Sequence, residues 1–98
     1  MALNRKLTPI LQGRKVESIS QSGDALTITF SDGSTLRVKT GGPVSAEALS
    51  GRTVKKVRQR GVVMDLDFAD GSSAEIKLAE PTSSVLLRDR NNKLEYAD

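Results

Sequence analysis

Apolar and polar residues alternate along several stretches of the chain, and this alternation predicts β-strands. Leu26, Ile28 and Phe30 are separated by Thr27 and Thr29, which is the period of two expected of a strand with one buried face. The same period recurs in three further apolar sets: Leu36 and Val38; Met64, Leu66 and Phe68; Ala74, Ile76 and Leu78. We therefore expect a sheet protein whose strands each direct one face towards a core.

Short polar segments between these strands predict hairpin turns. Ser31-Asp32-Gly33 lies between the first two apolar sets, and a three-residue turn with Gly in the left-handed position fits this sequence. Its register places Ile28 opposite Leu36. Ala69-Asp70-Gly71 predicts the same turn later in the chain.

An earlier strand precedes each of these hairpins. A two-residue turn at Ser22-Gly23 would place Ile19 opposite Leu26, and a turn at Arg60-Gly61 would place Val57 opposite Met64. Val16 precedes Ile19 by three residues, as Val54 precedes Val57. A β-bulge between each pair would return both valines to the core side.

The chain matches itself without gaps at a shift of 38 residues. The shift aligns Gly13-Arg14 with Gly51-Arg52, and Asp32-Gly33-Ser34 with Asp70-Gly71-Ser72. Glycines, turn aspartates and apolar positions coincide together, which is strong evidence for a repeated structural unit. We define unit one as residues 11–40 and unit two as residues 49–78.

The remaining segments complete a single domain over 1–98. Residues 41–44 form a linker, and a hairpin over 84–97 with an Asn-Asn turn would pair Leu87 with Tyr96 and Arg88 with Glu95. Single helical turns are predicted at 8–13, capped by Thr8, and at 45–51. The predicted fold class is mainly antiparallel all-β: two three-stranded meanders plus a C-terminal hairpin, forming a small sandwich or a partly open barrel.

Composition removes most catalytic chemistries. The 98 residues include no Cys and no His, which excludes thiol nucleophiles, disulfides and imidazole catalysis. Asp65, Asp67 and Asp70 do not have the spacing of a calcium loop, and no acid stands in a catalytic constellation. We expect a non-enzyme with no metal and no cofactor. With no signal peptide and no apolar run long enough to span a membrane, we expect a cytoplasmic protein.

Basic residues are densest in one predicted strand. This strand contains Arg52, Lys55, Lys56, Arg58 and Arg60, a set that could bind phosphates. In the predicted register, however, Lys56 lies opposite Asp65, and Asp65 lies opposite Glu75, so the face would be partly neutralised. With Phe30 and Phe68 facing inwards, no platform for stacking bases is present. Nucleic-acid binding is therefore possible but not favoured.

An Arg follows a helix-ending Gly at two equivalent places, Arg14 and Arg52. These arginines either bind a carboxylate symmetrically or hydrogen-bond the terminal carbonyls of the helical turns. The nearby Asp-Gly-Ser segments are explained by turn chemistry alone.

The two hairpin sequences and the closing Ser-Ser-Val-Leu-Leu-Arg-Asp and Leu-Glu-Tyr-Ala-Asp segments give the chain a family resemblance. It resembles small uncharacterised bacterial β-proteins of about this length. The resemblance implies a small β-fold and a cytoplasmic setting, and it implies no activity and no site residues.

These observations favour a non-enzymatic module that interacts with a protein partner or serves a structural role. A homodimer that closes an open strand edge is a further expectation. The alternative is weak nucleic-acid or polyanion binding through the basic strand 52–60. Function is more expected where the units diverge: Thr27, Thr29 and Thr35 in unit one correspond to Asp65, Asp67 and Ser73 in unit two.

Overall fold

The computed structural model describes residues 2–42, 44 and 49–98. Among these residues it contains nine strands and one short helix, and every strand pair is antiparallel. In chain order the elements are β1 (Ala2–Leu3), α1 (Leu7–Leu11), β2 (Val16–Ser22), β3 (Ala25–Phe30), β4 (Thr35–Lys39), β5 (Val54–Arg60), β6 (Val63–Phe68), β7 (Ser73–Lys77), β8 (Val85–Arg88) and β9 (Leu94–Ala97). The predicted all-β class is confirmed.

The strands form two sheets. One has four strands in the order β1-β5-β6-β7, and the other has five in the order β2-β3-β4-β8-β9. Two isolated bridges, Lys15 with Thr53 and Thr40 with Leu78, connect the sheets at opposite corners. The described strands thus make two sheets joined at their corners, and they do not close into one barrel.

The bridges join residues that are 38 positions apart, and their hydrogen bonds are reciprocal. The amide of Val16 donates to the carbonyl of Arg52 at 2.8 Å, and the amide of Val54 donates to that of Arg14 at 2.9 Å. At the other corner Gly41 donates to Lys77 at 2.8 Å, and residue 79 donates to Lys39 at 2.9 Å. Units one and two therefore contact each other through equivalent backbone groups, as two subunits do about a twofold axis.

Each unit is extended by a different segment. Strand β1 pairs with β5 in unit two, whereas the β8–β9 hairpin pairs with β4 in unit one. The outer faces of the two sheets consequently have different neighbours, although their central strands are equivalent.

The predicted bulges and the second hairpin of each unit are confirmed. Pairing shifts between Val16 and Ser18 in β2 and between Val54 and Lys56 in β5. Ile28 lies opposite Leu36. Gly33 and Gly71 have φ angles of +87° and +89°, as the three-residue turn requires.

The predicted register of the first hairpin is wrong by two residues. Ile19 lies opposite Ile28, not Leu26, and Val57 lies opposite Leu66, not Met64. The two turn residues are Gly23-Asp24, because Ser22 pairs with Ala25. Gly23 has a φ of +59° and Asp24 does not have a positive φ, and a type II′ turn requires Gly at this first central position.

The same shift changes the expected charge pairs. Asp65 lies opposite Arg58 and not Lys56, while Lys56 lies opposite Asp67. The predicted pairing of Asp65 with Glu75 is confirmed.

The C-terminal hairpin is confirmed at one of its two predicted pairs. Leu87 lies opposite Tyr96, but a bulge places Arg88 opposite Leu94 and not Glu95. The turn is longer than two residues, since the amide of Asp89 donates to the carbonyl of Lys93.

Helix α1 overlaps the predicted 8–13 segment, but it begins one residue earlier, ends at Leu11 and has a different cap. The Asn4 side chain accepts hydrogen bonds from the amides of Lys6 and Leu7 at 3.2 and 2.9 Å. Thr8 instead bonds the backbone of Val57, so it fixes α1 to β5. Most of the second predicted turn, at 45–48, lies outside the described residues. The described part of the chain has no helix long and apolar enough to cross a membrane.

The core lies between the two sheets and α1. It is almost entirely aliphatic, with Phe30 and Phe68 as its largest side chains. The buried apolar residues are Leu7, Leu11, Val16, Leu26, Ile28, Phe30, Leu36, Val38, Leu49, Val54, Val57, Met64, Leu66, Phe68, Ala74, Ile76, Leu78, Val85 and Leu87. The polar members of each strand therefore lie on the outer faces, where any site must be sought.

Candidate functional site

The outer face of the four-stranded sheet carries most of the predicted basic site. Arg58 donates from Nε to Asp67 Oδ2 at 2.7 Å and from Nη2 to Asp67 Oδ1 at 2.9 Å. A third bond joins its Nη2 to Asp65 Oδ2 at 3.2 Å. Ser73 Oγ also donates to Asp67, at 2.6 Å. Arg58 is therefore ion-paired with two carboxylates of the neighbouring strand β6.

Asp67 is the electrostatic centre of this face. Its residue is only 8% exposed, and Lys56 Nζ lies 4.0 Å from its Oδ2. The Arg58 hydrogen bond lowers the pKa of Asp67 below its usual value. Burial opposes the lowering, and the Ser73 bond adds to it.

The five basic residues of the 52–60 segment do not all converge on one point. Lys55, Lys56 and Arg58 line a cavity of about 330 Å³ together with Asp67. Arg52 instead donates to Asp70 Oδ2 at 2.9 Å and to Ser72 Oγ at 2.5 Å. Arg60 lies at the far end of β5, opposite Val63. The structure thus brings three of the five predicted cations together, around a carboxylate of the chain itself.

Arg14 and Arg52 bind carboxylates at equivalent places. Arg14 makes a bidentate contact with Glu95 of β9, at 2.8 Å for both bonds, and its Nε lies 3.6 Å from Asp32 Oδ2. The Glu95 hydrogen bonds raise the pKa of Arg14. Asp32 and Asp70 are the turn aspartates of units one and two. Both guanidinium groups are therefore occupied by carboxylates of the chain.

A pH effect follows from the Asp67 cluster. Because the pKa of Asp67 is lower in the folded than in the unfolded protein, ionised Asp67 stabilises the fold above the ordinary carboxyl pKa of about 4. This contribution is lost as pH falls from about 4 through the folded-state pKa. We expect Asp67→Asn to make the acid-induced decline in the free energy of unfolding shallower, as measured by urea unfolding at successive pH values.

The control for this prediction is Asp24→Asn, which removes an exposed carboxylate that makes no ion pair within 4.0 Å among the described residues. It should leave the decline close to that of the wild type. An unchanged decline in Asp67→Asn would contradict the assignment.

The outer face of the five-stranded sheet has a different chemistry. Where unit two has Asp65, Asp67 and Glu75, unit one has Thr27, Thr29 and Arg37. Where unit two has Lys56, Arg58 and Arg60, unit one has three serines. We define the cation–hydroxyl face as the following outward residues of β2, β3, β4 and β8: Ser18, Ser20, Ser22, Thr27, Thr29, Thr35, Arg37, Lys39, Leu86 and Arg88.

Three cations stand together on this face without an acidic partner. Arg37 and Lys39 belong to β4, and Arg88 lies on the neighbouring β8, opposite Thr35. Among the described residues, no carboxylate oxygen lies within 4.0 Å of any of their charged groups. Arg88 donates one hydrogen bond, to the carbonyl of Asn92 at 3.1 Å. The face is therefore basic and hydroxyl-rich.

A cavity of about 690 Å³ adjoins the cations. Arg37 and Lys39 line it, together with the apolar residues Ala25, Leu86 and Ala97. Leu86 lies directly opposite Arg37, and Ala97 lies opposite Leu86 on β9. Asp24 and Asp98 also line the cavity. An apolar floor beside charged groups is the usual composition of a ligand-binding concavity.

Sequence reasoning did not find this cavity, although it expected function where the units diverge. The change from Asp65 and Glu75 to Thr27 and Arg37 is visible in the aligned units. The positions of Leu86 and Arg88 beside β4 could not be found in this way, because they depend on the pairing of β8 with β4.

Metal ligation has no candidate cluster in the described part of the chain, where no three His, Cys, Asp or Glu side chains lie together.

Fold and surface define the class: a small antiparallel β-protein of two corner-joined sheets, with an arginine–carboxylate cluster on one outer face and a cation–hydroxyl face on the other. Comparisons with protein-family models, curated proteins and solved structures find no match to this chain. The resemblance to small bacterial β-proteins stays a prediction.

Proposed function

We propose that the protein is a non-enzymatic interaction module that binds a partner protein through the cation–hydroxyl face. One observation carries the proposal. Asp65 and Asp67, which hold Arg58 on the four-stranded sheet, are replaced on the five-stranded sheet by threonines, and Glu75 is replaced by Arg37, beside a cavity of about 690 Å³. Arg37 and Arg88 have no acidic partner within 4.0 Å among the described residues, whereas Arg58 on the other sheet is held by two carboxylates. Cations left open in this way can meet the acidic groups of a partner, which supports a role in binding.

The lack of Cys and His, together with the ion pairing of Asp67, supports a binding role over catalysis. The chain contains neither Cys nor His, and Asp67 is engaged by Arg58 and Ser73. A carboxylate held in this way is a poor general base, because its lowered pKa disfavours proton uptake. We also propose a cytoplasmic setting, because a chain without Cys fits a reducing compartment.

Site-specific photo-cross-linking tests the proposal. A benzophenone amino acid replaces Ser20, which is exposed and lies in one row with Thr27 and Arg37. The control carries it at Lys77, which is exposed on the opposite sheet. In a lysate of the source organism, we expect a discrete protein adduct from position 20 that is absent from position 77. Equal labelling from both positions, or no adduct from position 20, would reject the proposal.

Two other hypotheses remain open. Polyanion binding through the 52–60 segment is supported by the exposure of Lys55 and Lys56, and it is opposed by the ion pairs of Arg52 and Arg58. A homodimer is supported by β7, whose outer edge pairs with no other described strand. Both stay predictions from the sequence.

A further inference from the structure

We infer that the ligand of the cation–hydroxyl face is an extended acidic segment of a partner protein, whose carboxylates two residues apart contact Arg37 and Lys39. The inference rests on the proposed function and names the chemistry of the partner.

The spacing of Arg37 and Lys39 along β4 favours an extended segment as the ligand. Arg37 and Lys39 are two residues apart on one strand, so their side chains leave the same face about 7 Å from each other. An extended peptide lying along β4 has the same repeat, and its residues i and i+2 point to one side. Two carboxylates at these positions can meet both cations at once. A helical peptide, with its side chains three or four residues apart on one face, does not have this repeat.

The charges on the two outer faces favour an acidic segment, and they favour its binding to the five-stranded sheet. A carboxylate on this face meets Arg37, Lys39 and Arg88, which have no acidic partner within 4.0 Å among the described residues. On the opposite sheet it would meet Asp65 and Asp67, which already hold Arg58. Complementary charge thus favours one of the two equivalent surfaces.

The cavity favours a peptide over a nucleic acid. Its floor includes Leu86 and Ala97, which fit an apolar residue flanking the acidic pair. Asp24 and Asp98 line it as well, and they disfavour any anion beside them. The continuous charge of a phosphate backbone cannot avoid them, whereas the two discrete carboxylates of a peptide can lie over Arg37 and Lys39 with an apolar residue beside the acids. Phe30 is buried and Tyr96 is partly buried against the core, so neither offers an open stacking platform.

Titration of the full chain with a synthetic peptide tests the inference. The probe is a soluble peptide of alternating Glu and Thr with one flanking Leu, and its partner probe replaces every Glu by Lys. Binding is followed by amide chemical shifts in NMR spectra at low salt. We expect the Glu peptide to change the amide chemical shifts of residues in β4 and β8, and the Lys peptide to leave these shifts unchanged.

Two variants with the same change in net charge distinguish binding at the cation–hydroxyl face from a general effect of the protein's charge. Arg37→Glu introduces the residue type of its counterpart Glu75, and Arg60→Glu makes the same change on the other sheet. We expect Arg37→Glu to lower the affinity for the Glu peptide by at least about tenfold, because it replaces a contacting positive charge by a negative one. Arg60→Glu should change affinity by less than about twofold. Lys39→Glu is the second variant if Arg37→Glu fails to fold.

Three results would overturn the inference: no binding of the Glu peptide, equal weakening by Arg37→Glu and Arg60→Glu, or tighter binding of an oligothymidylate at the same residues. The last result would make the face a phosphate-binding surface. If the cross-link at position 20 still identifies a protein while the Glu peptide does not bind, only the ligand assignment fails. If both experiments are negative, the proposed function fails as well.

Discussion

Phe30→Ala and Phe68→Ala should each lower the free energy of unfolding by about 3–5 kcal/mol, the range for removing a buried aromatic ring. The two residues are counterparts in units one and two, and they are 0% and 1% exposed. Each ends the central strand of its unit, beside the hairpin turn. Because the cavities left behind have equivalent walls, we expect the two losses to be similar. Urea unfolding followed by circular dichroism measures both.

The matched controls are Phe30→Leu and Phe68→Leu. These substitutions retain most of the apolar volume, so each should cost clearly less than the alanine variant. They also give a readout if an alanine variant is largely unfolded, since a domain of this size has only about 5–15 kcal/mol to lose. A large cost at one position and a negligible cost at the other would show that the units do not share the core equally.

Within each unit, the second hairpin could be predicted almost completely from the sequence. Asp32-Gly33 and Asp70-Gly71 allow one turn type, and the flanking alternation allows one register with the apolar sets on the same face. Local turn chemistry and side-chain periodicity thus agree, and the structure follows them.

The first hairpin shows where this kind of reasoning fails. Turns at Ser22-Gly23 and at Gly23-Asp24 differ in register by two residues, and both keep the apolar residues on the core face. Hydrophobic pattern therefore does not distinguish them. Backbone geometry does, because Gly23 occupies the first position of the turn with a φ of +59°. The same two-residue shift explains why Arg58 and not Lys56 faces Asp65.

Pairing between strands that are distant along the chain is the second feature that the sequence does not predict. The sequence does not indicate that β8 joins β4 or that β1 joins β5, because neither pairing involves a short turn between the two strands. The cation–hydroxyl face depends on the first of these pairings. Divergence between the units identified Thr27 and Thr29 as positions of interest, but only the β4–β8 contact places Arg88 and Leu86 beside Arg37.

The two outer faces illustrate how one backbone can support two surfaces. Counterpart positions on β3 and β6 have the same pairing geometry, yet Thr27 faces Arg37 where Asp65 faces Glu75. On the four-stranded sheet Asp65 and Asp67 are paired with Arg58 of β5, whose counterpart in unit one is Ser20. Both the acids and the β5-type cations are thus absent from the counterpart positions of unit one, and Arg37 stands where unit two has Glu75.

Gly33→Ala should cost about 2–4 kcal/mol, whereas Gly71→Ala should cost about 1–2 kcal/mol. Both glycines have left-handed φ angles, +87° and +89°, so an alanine at either position carries the same backbone strain. A Cβ at Gly33 would also lie 2.9 Å from Cβ of Arg90, while a Cβ at Gly71 would meet nothing within 4 Å. The difference between the two variants therefore measures the packing of the β8–β9 turn on unit one.

A double-mutant cycle with Arg90→Gly isolates that contact. Removing Cβ of Arg90 should eliminate most of the extra cost of Gly33→Ala and leave the cost of Gly71→Ala unchanged, because only the first pair is in contact. Thermal and urea unfolding of the four combinations give the coupling energy. Equal costs for the two single glycine variants, or no coupling between positions 33 and 90, would contradict the close approach. Strong coupling would instead show that the hairpin carrying Arg88 is held against unit one by its turn as well as by its strand, which keeps Arg88 in register with Arg37 and Lys39.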